Sequence, residues 1–290
     1  MLEIIEHTLE DTIKLLPFLF ITYLIMEYIE HKMGEKSKNV IKKSGKFGPF
    51  FGSILGIFPQ CGFSVSATNL YAGRVITLGT LIAVYLSTSD EMLPIFISEA
   101  VSPIVILKIL GIKLIIGMIA GVIIDLVINL VDKNKINKEE KENNEIGHMC
   151  EEEHCHCDEK GILKSAIHHT LSIFVFIILI TFIINIVVHF VGEDTIASWI
   201  LNKPIIGPMI SSLIGLIPNC ASSVIITNMY LENVISLGSM ISGLLTGAGV
   251  GLAVLFKTNN KLKENVGIIA LLYIIGVISG VLIELIGITL

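Results

Sequence analysis

Charge is what this chain has least of. Asp, Glu, Lys and Arg make up 16% of its 290 residues, where a soluble domain carries about a quarter. That is too little to coat a globule, and 53% of the residues are hydrophobic. The balance excludes a cytosolic enzyme, a secreted disulfide scaffold and a nucleic-acid binder. Cysteine is sparse as well: of the five, three lie in one polar stretch, which makes no disulfide framework. The net charge of −6 is mild and points to no partner. Between Met1 and Asp11 stand Glu3, Glu6 and Glu10 but no basic residue, so no cleavable signal peptide is expected. A Gly-x-x-x-x-Gly-Lys-Ser/Thr phosphate loop is missing, so ATP is not the expected energy source. His-Glu-x-x-His and Ser-His-Asp constellations are missing too, and no enzyme is expected. An ion gradient, or the substrate's own, remains.

What the chain does have is apolar length. Apolar stretches run at about 12–29, 47–72, 75–98, 103–131, 165–191, 205–231, 234–256 and 266–290. Each is long enough for a membrane helix, which needs about 20 residues. The expected class is all-α: a polytopic membrane protein of 8–10 segments, in contact with the lipid bilayer. Its parts are a first membrane repeat at 1–131, a cytoplasmic Cys/His-rich linker at 132–163 and a second membrane repeat at 164–290. The cell (plasma or inner) membrane is the expected location.

The repeat is legible residue by residue. At an offset of 159, Gly48-Pro49 matches Gly207-Pro208, and Ser53, Gly56, Pro59 and Cys61 match Ser212, Gly215, Pro218 and Cys220. Ser64-Val65 matches Ser223-Val224, Thr68-Asn69 matches Thr227-Asn228, and Tyr71 matches Tyr230. Later, Gly117, Gly121 and Asp125 answer Gly276, Gly280 and Glu284. Composition bias aligns Ile with Ile; it does not align Pro, Cys, Asn and a carboxylate in register.

Lysine placement suggests that the halves are inverted, because cytoplasmic loops collect Lys and Arg. The loop Lys32–Lys46 is rich in Lys, whereas its counterpart near Gly192–Lys203 has a single Lys beside Glu193 and Asp194. Ser98–Pro103 has no Lys, whereas its counterpart holds Lys257, Lys261 and Lys263. Inversion requires an odd number of crossings per half, so at least one of the four stretches in each half must break or fold back. Two places invite it. One is Pro59-Gln60-Cys61-Gly62, mirrored by Pro218-Asn219-Cys220-Ala221; the other is Ser87-Thr88-Ser89-Asp90-Glu91, mirrored by Thr246-Gly247-Ala248-Gly249. Proline removes a donor from the helical ladder, and polar neighbours re-satisfy the freed carbonyls.

Broken helices at equivalent positions of two inverted halves point to a transport site near the midplane. The candidate substrate-binding residues are Gln60, Cys61, Thr68 and Asn69, with Asn219, Cys220, Thr227 and Asn228 as their counterparts. Thiolate, amide oxygen, hydroxyl and freed carbonyl together suit a dehydrated cation or a thiophilic metalloid. Small residues packed at a kink would explain one copy; two registered copies favour a site. Asp90 and Glu91 join the list because carboxylates at membrane depth are costly, with solvation at an outer mouth as the alternative. Asp125 and Glu284 read as interfacial anchors, with a proton relay as the alternative. In the linker, His148, Cys150, His154, Cys155, His156 and Cys157 alternate soft and borderline ligands. A transition-metal ion held there is the expected use, for capture or sensing in a compartment that keeps thiols reduced; no cofactor is required.

Two halves of Gly-Pro…Pro-x-Cys…Thr-Asn-x-Tyr around a His/Cys-rich centre resemble the ten-helix heavy-metal exporter family, labelled arsenic efflux proteins or manganese transporters. The resemblance covers essentially the whole chain and is strongest over Gly48–Gly79 and Gly207–Gly238. More distantly, Pro59-Gln60-Cys61 followed by Ser87-Thr88-Ser89-Asp90-Glu91 looks like the permeases tied to organoarsenical export. Those carry Pro-x-Cys-x-Cys-Gly, and Phe63 stands here at the second Cys. The resemblance implies a secondary transporter that exports a metal ion or metalloid, manganese, arsenic or similar. Rival readings are an uptake permease for a small anion and, in another class, a membrane-embedded metalloenzyme.

Overall fold

Both suspect positions break. In the computed structural model, the 47–72 stretch splits into α1 (Gly48–Gly56) and α2 (Cys61–Ala72), and the 75–98 stretch into α3 (Leu78–Ser87) and α4 (Met92–Ser98). The long α5 (Pro103–Lys135) completes the first half, and α6 (Cys157–Val191) leads into the second. There α7 (Ile206–Gly215), α8 (Cys220–Leu231), α9 (Leu237–Thr246), α10 (Gly251–Thr258) and α11 (Leu262–Ile286) repeat the order. The structure describes residues 47–58, 61–89, 91–135, 157–191 and 204–288, with helical positions scattered between 13 and 24. No strand occurs among the described residues. Helices α8 to α11 begin 159 positions after α2 to α5, and α7 begins within one residue of that offset from α1. Helix extends into both ends of the polar linker, through Lys135 and again from Cys157.

Polarity runs opposite to that of a soluble protein. Outward faces of α5 and α11 carry Leu107, Ile119, Ile123, Leu126, Ile274, Ile278, Leu282 and Leu285, all exposed, while Ser53, Ser64, Thr68, Ser87, Ser212, Ser242 and Thr246 are buried. In hydrocarbon this is the favourable distribution, since polar groups must find partners inside the protein. Five helical segments among the described residues are long and apolar enough to cross a bilayer: Leu78–Ser98, Pro103–Leu130, Ala166–Ile183, Leu237–Thr258 and Leu262–Ile286. The first and fourth are the interrupted pairs α3–α4 and α9–α10, and they are mostly buried behind the long outer helices.

Local chemistry sets the helix starts. Thr77 caps α3 by accepting from the Thr80 N–H at 3.1 Å, and Ser236 caps α9 by accepting from the Ser239 N–H at 3.2 Å. A carboxylate on the neighbouring long helix completes each cap. Asp125 of α5 accepts from Thr77 Oγ1 at 2.7 Å and from the Gly79 N–H at 2.9 Å. Glu284 of α11 accepts from Ser236 Oγ. These acids therefore sit at the positive ends of α3 and α9, a role that the reading of them as interfacial anchors did not contain.

The caps need the helices to touch. A Cβ on Gly79 would lie 2.2 Å from the Gly121 carbonyl oxygen, and one on Gly238 would lie 2.4 Å from that of Gly280. Backbone atoms cannot step aside, so Gly79→Ala must pry α3 from α5 and lose the Asp125 cap. We expect a cost of about 1–3 kcal/mol, the usual range for overpacking, read as a lower unfolding midpoint in detergent. An unchanged midpoint would remove the close approach from this account.

Candidate functional site

The cysteines that open α2 and α8 meet. Cys61 Sγ and Cys220 Sγ lie 3.2 Å apart, Cys61 buried and Cys220 half-buried. Around them pack Tyr23, Val65, Ile173, Ile177, Val250 and Val254, an apolar sleeve drawn from both halves and from α6. One turn beyond each cysteine, a serine returns to its carbonyl: Ser64 Oγ donates to Cys61 O at 2.8 Å, and Ser223 Oγ to Cys220 O at 2.7 Å. Self-contact between equivalent residues is what a two-fold relation produces. The wider packing agrees, since α2 lies on α10 and α8 on α4, which are equivalent pairs.

The breaks that create this meeting point are held by side chains. Ser89 Oγ, in the second break, donates to Ile57 O in the first. Thr246 Oγ1 donates to Ser212 O at 2.9 Å, and Ser242 Oγ lies 2.8 Å from Pro208 O and 2.9 Å from Gly276 O. At the start of α8, Asn219 is extended (φ −150°, ψ 152°) and its N–H donates to Ile217 O at 2.7 Å. The amide is 3% exposed, beside Cys220 in sequence and inside the protein.

Thr68 lies in a buried knot. Its Oγ1 is within hydrogen-bond distance of Ser64 O (2.7 Å), Tyr85 Oη (2.5 Å) and Gly251 O (3.2 Å), and the Tyr85 hydroxyl also donates to Gly251 O at 3.2 Å. Gly251 opens α10, so Thr68 joins the first half to the break of the second. Asn69 is 1% exposed; its Oδ1 accepts from Tyr23 Oη at 3.3 Å, and its Nδ2 has no partner among the described residues. Thr227 Oγ1 is likewise buried and unpartnered. Orphaned buried polar atoms are uncommon and call for an explanation; these two fall on residues singled out from the repeat, and Thr181 Oγ1 and Ser211 Oγ, also orphaned among the described residues, do not.

Other candidates lie elsewhere. Asn228, the counterpart of Asn69, is exposed on the outside of α8. Glu91 stands half-buried at the start of α4. Gln60 and Asp90 fall outside the described residues, as do His148, Cys150, His154, Cys155 and His156. Cys157 is the first residue of α6, with its side chain not described. Among the described residues no group of three or more His, Cys, Asp or Glu forms a metal cluster. Phe63 packs its ring on Phe58, with centroids 5.7 Å apart.

Two features escaped the sequence reading. Arg74 and Glu264 join the halves through a two-pronged ion pair, Nη1–Oε1 2.6 Å and Nη2–Oε2 3.1 Å, with Tyr71 also donating to Glu264. Lys113 is wholly buried in α5. A signal for it existed: its counterpart across the repeat is Leu272, an ammonium set against an apolar side chain.

A family model described as "Putative, 10TM heavy-metal exporter" matches the chain over residues 1–191 and again over 163–289. No curated protein and no solved structure matches it.

Proposed function

Because the chain belongs to this heavy-metal exporter family, we propose that it is a secondary transporter of the cell membrane that exports a thiophilic metal ion or metalloid. The observation that carries the reading is the pair of equivalent cysteines, 3.2 Å apart, at the junction of the two halves. Two sulfur ligands in an apolar sleeve favour soft ions over manganese, which prefers oxygen donors. Asn69, Thr68 and Thr227 would supply the polar contacts behind the sulfurs, and Asn219 the amide beside them. Glu91 and the neighbouring Asp90 would lie along the exit, and Gln60 would mirror Asn219. A membrane-embedded metalloenzyme draws no support from a family of exporters. Uptake of a small anion stays as the rival, because both cysteines stand at helix N-termini, where negative charge is favoured.

One experiment separates these. Cells with and without the protein are grown across Mn, Zn, Cd, Co, Cu, arsenite and antimonite, and cell-associated metal is measured. We expect resistance and lower content for Cd, arsenite or antimonite. Protection against Mn alone would move the cargo site away from the sulfurs, and no change in resistance or content across the panel would favour the small-anion permease.

The linker has its own expected outcome. Deleting His148 to Cys157 should leave maximal transport largely intact and weaken it at low metal, since a ligand cluster outside the pathway captures ions without conducting them. The free linker peptide should hold Zn²⁺ or Cu⁺ more tightly than Mn²⁺. Loss of transport at every concentration would place the cluster in the pathway.

A further inference from the structure

An ammonium group buried in a membrane protein needs oxygen partners, because an unpaired charge in that surrounding is prohibitively costly. Lys113 is 0% exposed, and its partners include backbone carbonyls from the ends of two different helices. Nζ donates to Thr88 O and, at 3.0 Å, to Leu244 O. Thr88 is the C-cap of α3, and Leu244 lies in the last turn of α9. Helices α3 and α9 are each other's counterpart in the repeat, so one cation bridges the same helix end in both halves.

Those carbonyls are available because the helices stop there. The last four carbonyls of a helix have no intrahelical partner, and that end carries partial negative charge. At α9 the stop is explicit: the Ala248 N–H, which a continuing helix would offer to Leu244 O, turns to Thr246 O at 2.9 Å. Across the repeat, Lys113 answers Leu272, which is also wholly buried. The second half thus supplies no matching ammonium, and this position holds a single cation.

We propose that Lys113 fills, as a tethered cation, a carbonyl site built from the C-terminal ends of α3 and α9, and that the site accepts a small monovalent cation when the lysine is absent or withdrawn. Half-helix C-termini and unwound carbonyls hold coupling cations in transporters of broken-helix design; here the chain provides the charge itself. Any movement that parts α3 from α9 must draw Nζ off one of the two oxygens. Lys113 therefore favours the arrangement in which the inner helices are together. The inference stands on the buried geometry and is independent of which ion is exported.

The test reads cation binding first and transport second. Full-length Lys113→Ala and Lys113→Met are purified in detergent with N-methylglucamine, too large for the site, as the only cation. Thermal unfolding is then followed against methylammonium, Na⁺ and K⁺. Lys113→Ala should unfold earlier than the wild type and regain stability saturably with methylammonium or Na⁺. The wild type, with the site filled, and Lys113→Met, with the space blocked, should not respond. Equal responses of all three proteins, or none from Lys113→Ala, overturn the proposal. Should Lys113→Ala not survive extraction, Lys113→Gln decides, because it keeps a donor at the carbonyls without the charge. Wild-type stability and transport in Lys113→Gln overturn the proposal; loss of both supports it. Failure of metal export in the wild type would refute the cargo reading and leave the stability result standing.

Discussion

Oxidising the protein with copper-phenanthroline is expected to stop transport completely, and dithiothreitol to restore it. Cys61 and Cys220 approach to 3.2 Å between sulfurs, so only a small closing movement separates them from the bond length of about 2.05 Å. Each thiol gives up a proton and an electron, and the oxidant takes the pair of electrons. The product removes both sulfur ligands and staples α2 to α8 across the two halves. A variant lacking Cys150, Cys155 and Cys157 keeps the readout on this pair, and mass spectrometry of the joined peptide verifies the bond. Cys61→Ser or Cys220→Ser should be indifferent to the oxidant. Either serine variant should also carry thiophilic ions about tenfold less well or worse, since a hydroxyl replaces a soft ligand. Full transport with the pair verified as joined would return both cysteines to a packing role.

Much of this architecture was legible in the sequence because it is written twice. Pro49, Gly56, Cys61 and Gly79 recur at one offset, and the structure begins equivalent helices at that same offset. Both breaks were legible for a related reason: proline, or a run of Ser, Thr and Gly inside an apolar stretch, cannot be read as continuous helix. A repeat in sequence does not guarantee a repeat in surroundings, however. Asn69 is buried beneath Tyr23, whereas Asn228 faces outward. Residue type fixes what a side chain could do; the neighbouring helix decides whether it is covered. Asp125 and Glu284 show a second kind of gap. Their partners, Thr77 and Ser236, lie 48 residues away, and no local pattern announces a cap supplied from another helix. Lys113 shows a third, since Lys108 and Lys113 within one long apolar run are averaged away by hydropathy, and Lys113 stands out only beside Leu272.

Cysteines placed at Lys38 and at Lys261 are expected to be almost wholly shielded from an impermeant thiol reagent outside the cell, and one at Asp194 almost wholly labelled. The packing supplies half of the argument. Contact between Cys61 and Cys220, together with the reciprocal pairs α2–α10 and α8–α4, accords with a two-fold relation between the halves. Such an axis can run along the membrane normal, giving parallel halves, or lie in the membrane plane, giving inverted ones. Lysine distribution is the reason to expect the inverted arrangement. Lys32, Lys36, Lys38, Lys42, Lys43 and Lys46 precede α1, while the equivalent segment before α7 has Lys203 beyond Glu193 and Asp194. From the last turn of α10 to the first of α11 stand Lys257, Lys261 and Lys263, while the equivalent segment around the end of α4 has none. Parallel halves would put equivalent loops on one side and leave both contrasts without a cause; inversion puts every lysine-rich loop in the cytoplasm. Arg74 and Glu264, the ion pair that ties the halves, would then lie toward the cytoplasmic side beside Lys261 and Lys263. The labelling is done on intact cells in a variant whose native cysteines are serine, with permeabilised cells as the control for reactivity. Labelling at Lys38 from outside reverses the assigned sidedness, and opposite accessibility at Lys38 and Lys261 eliminates inversion itself.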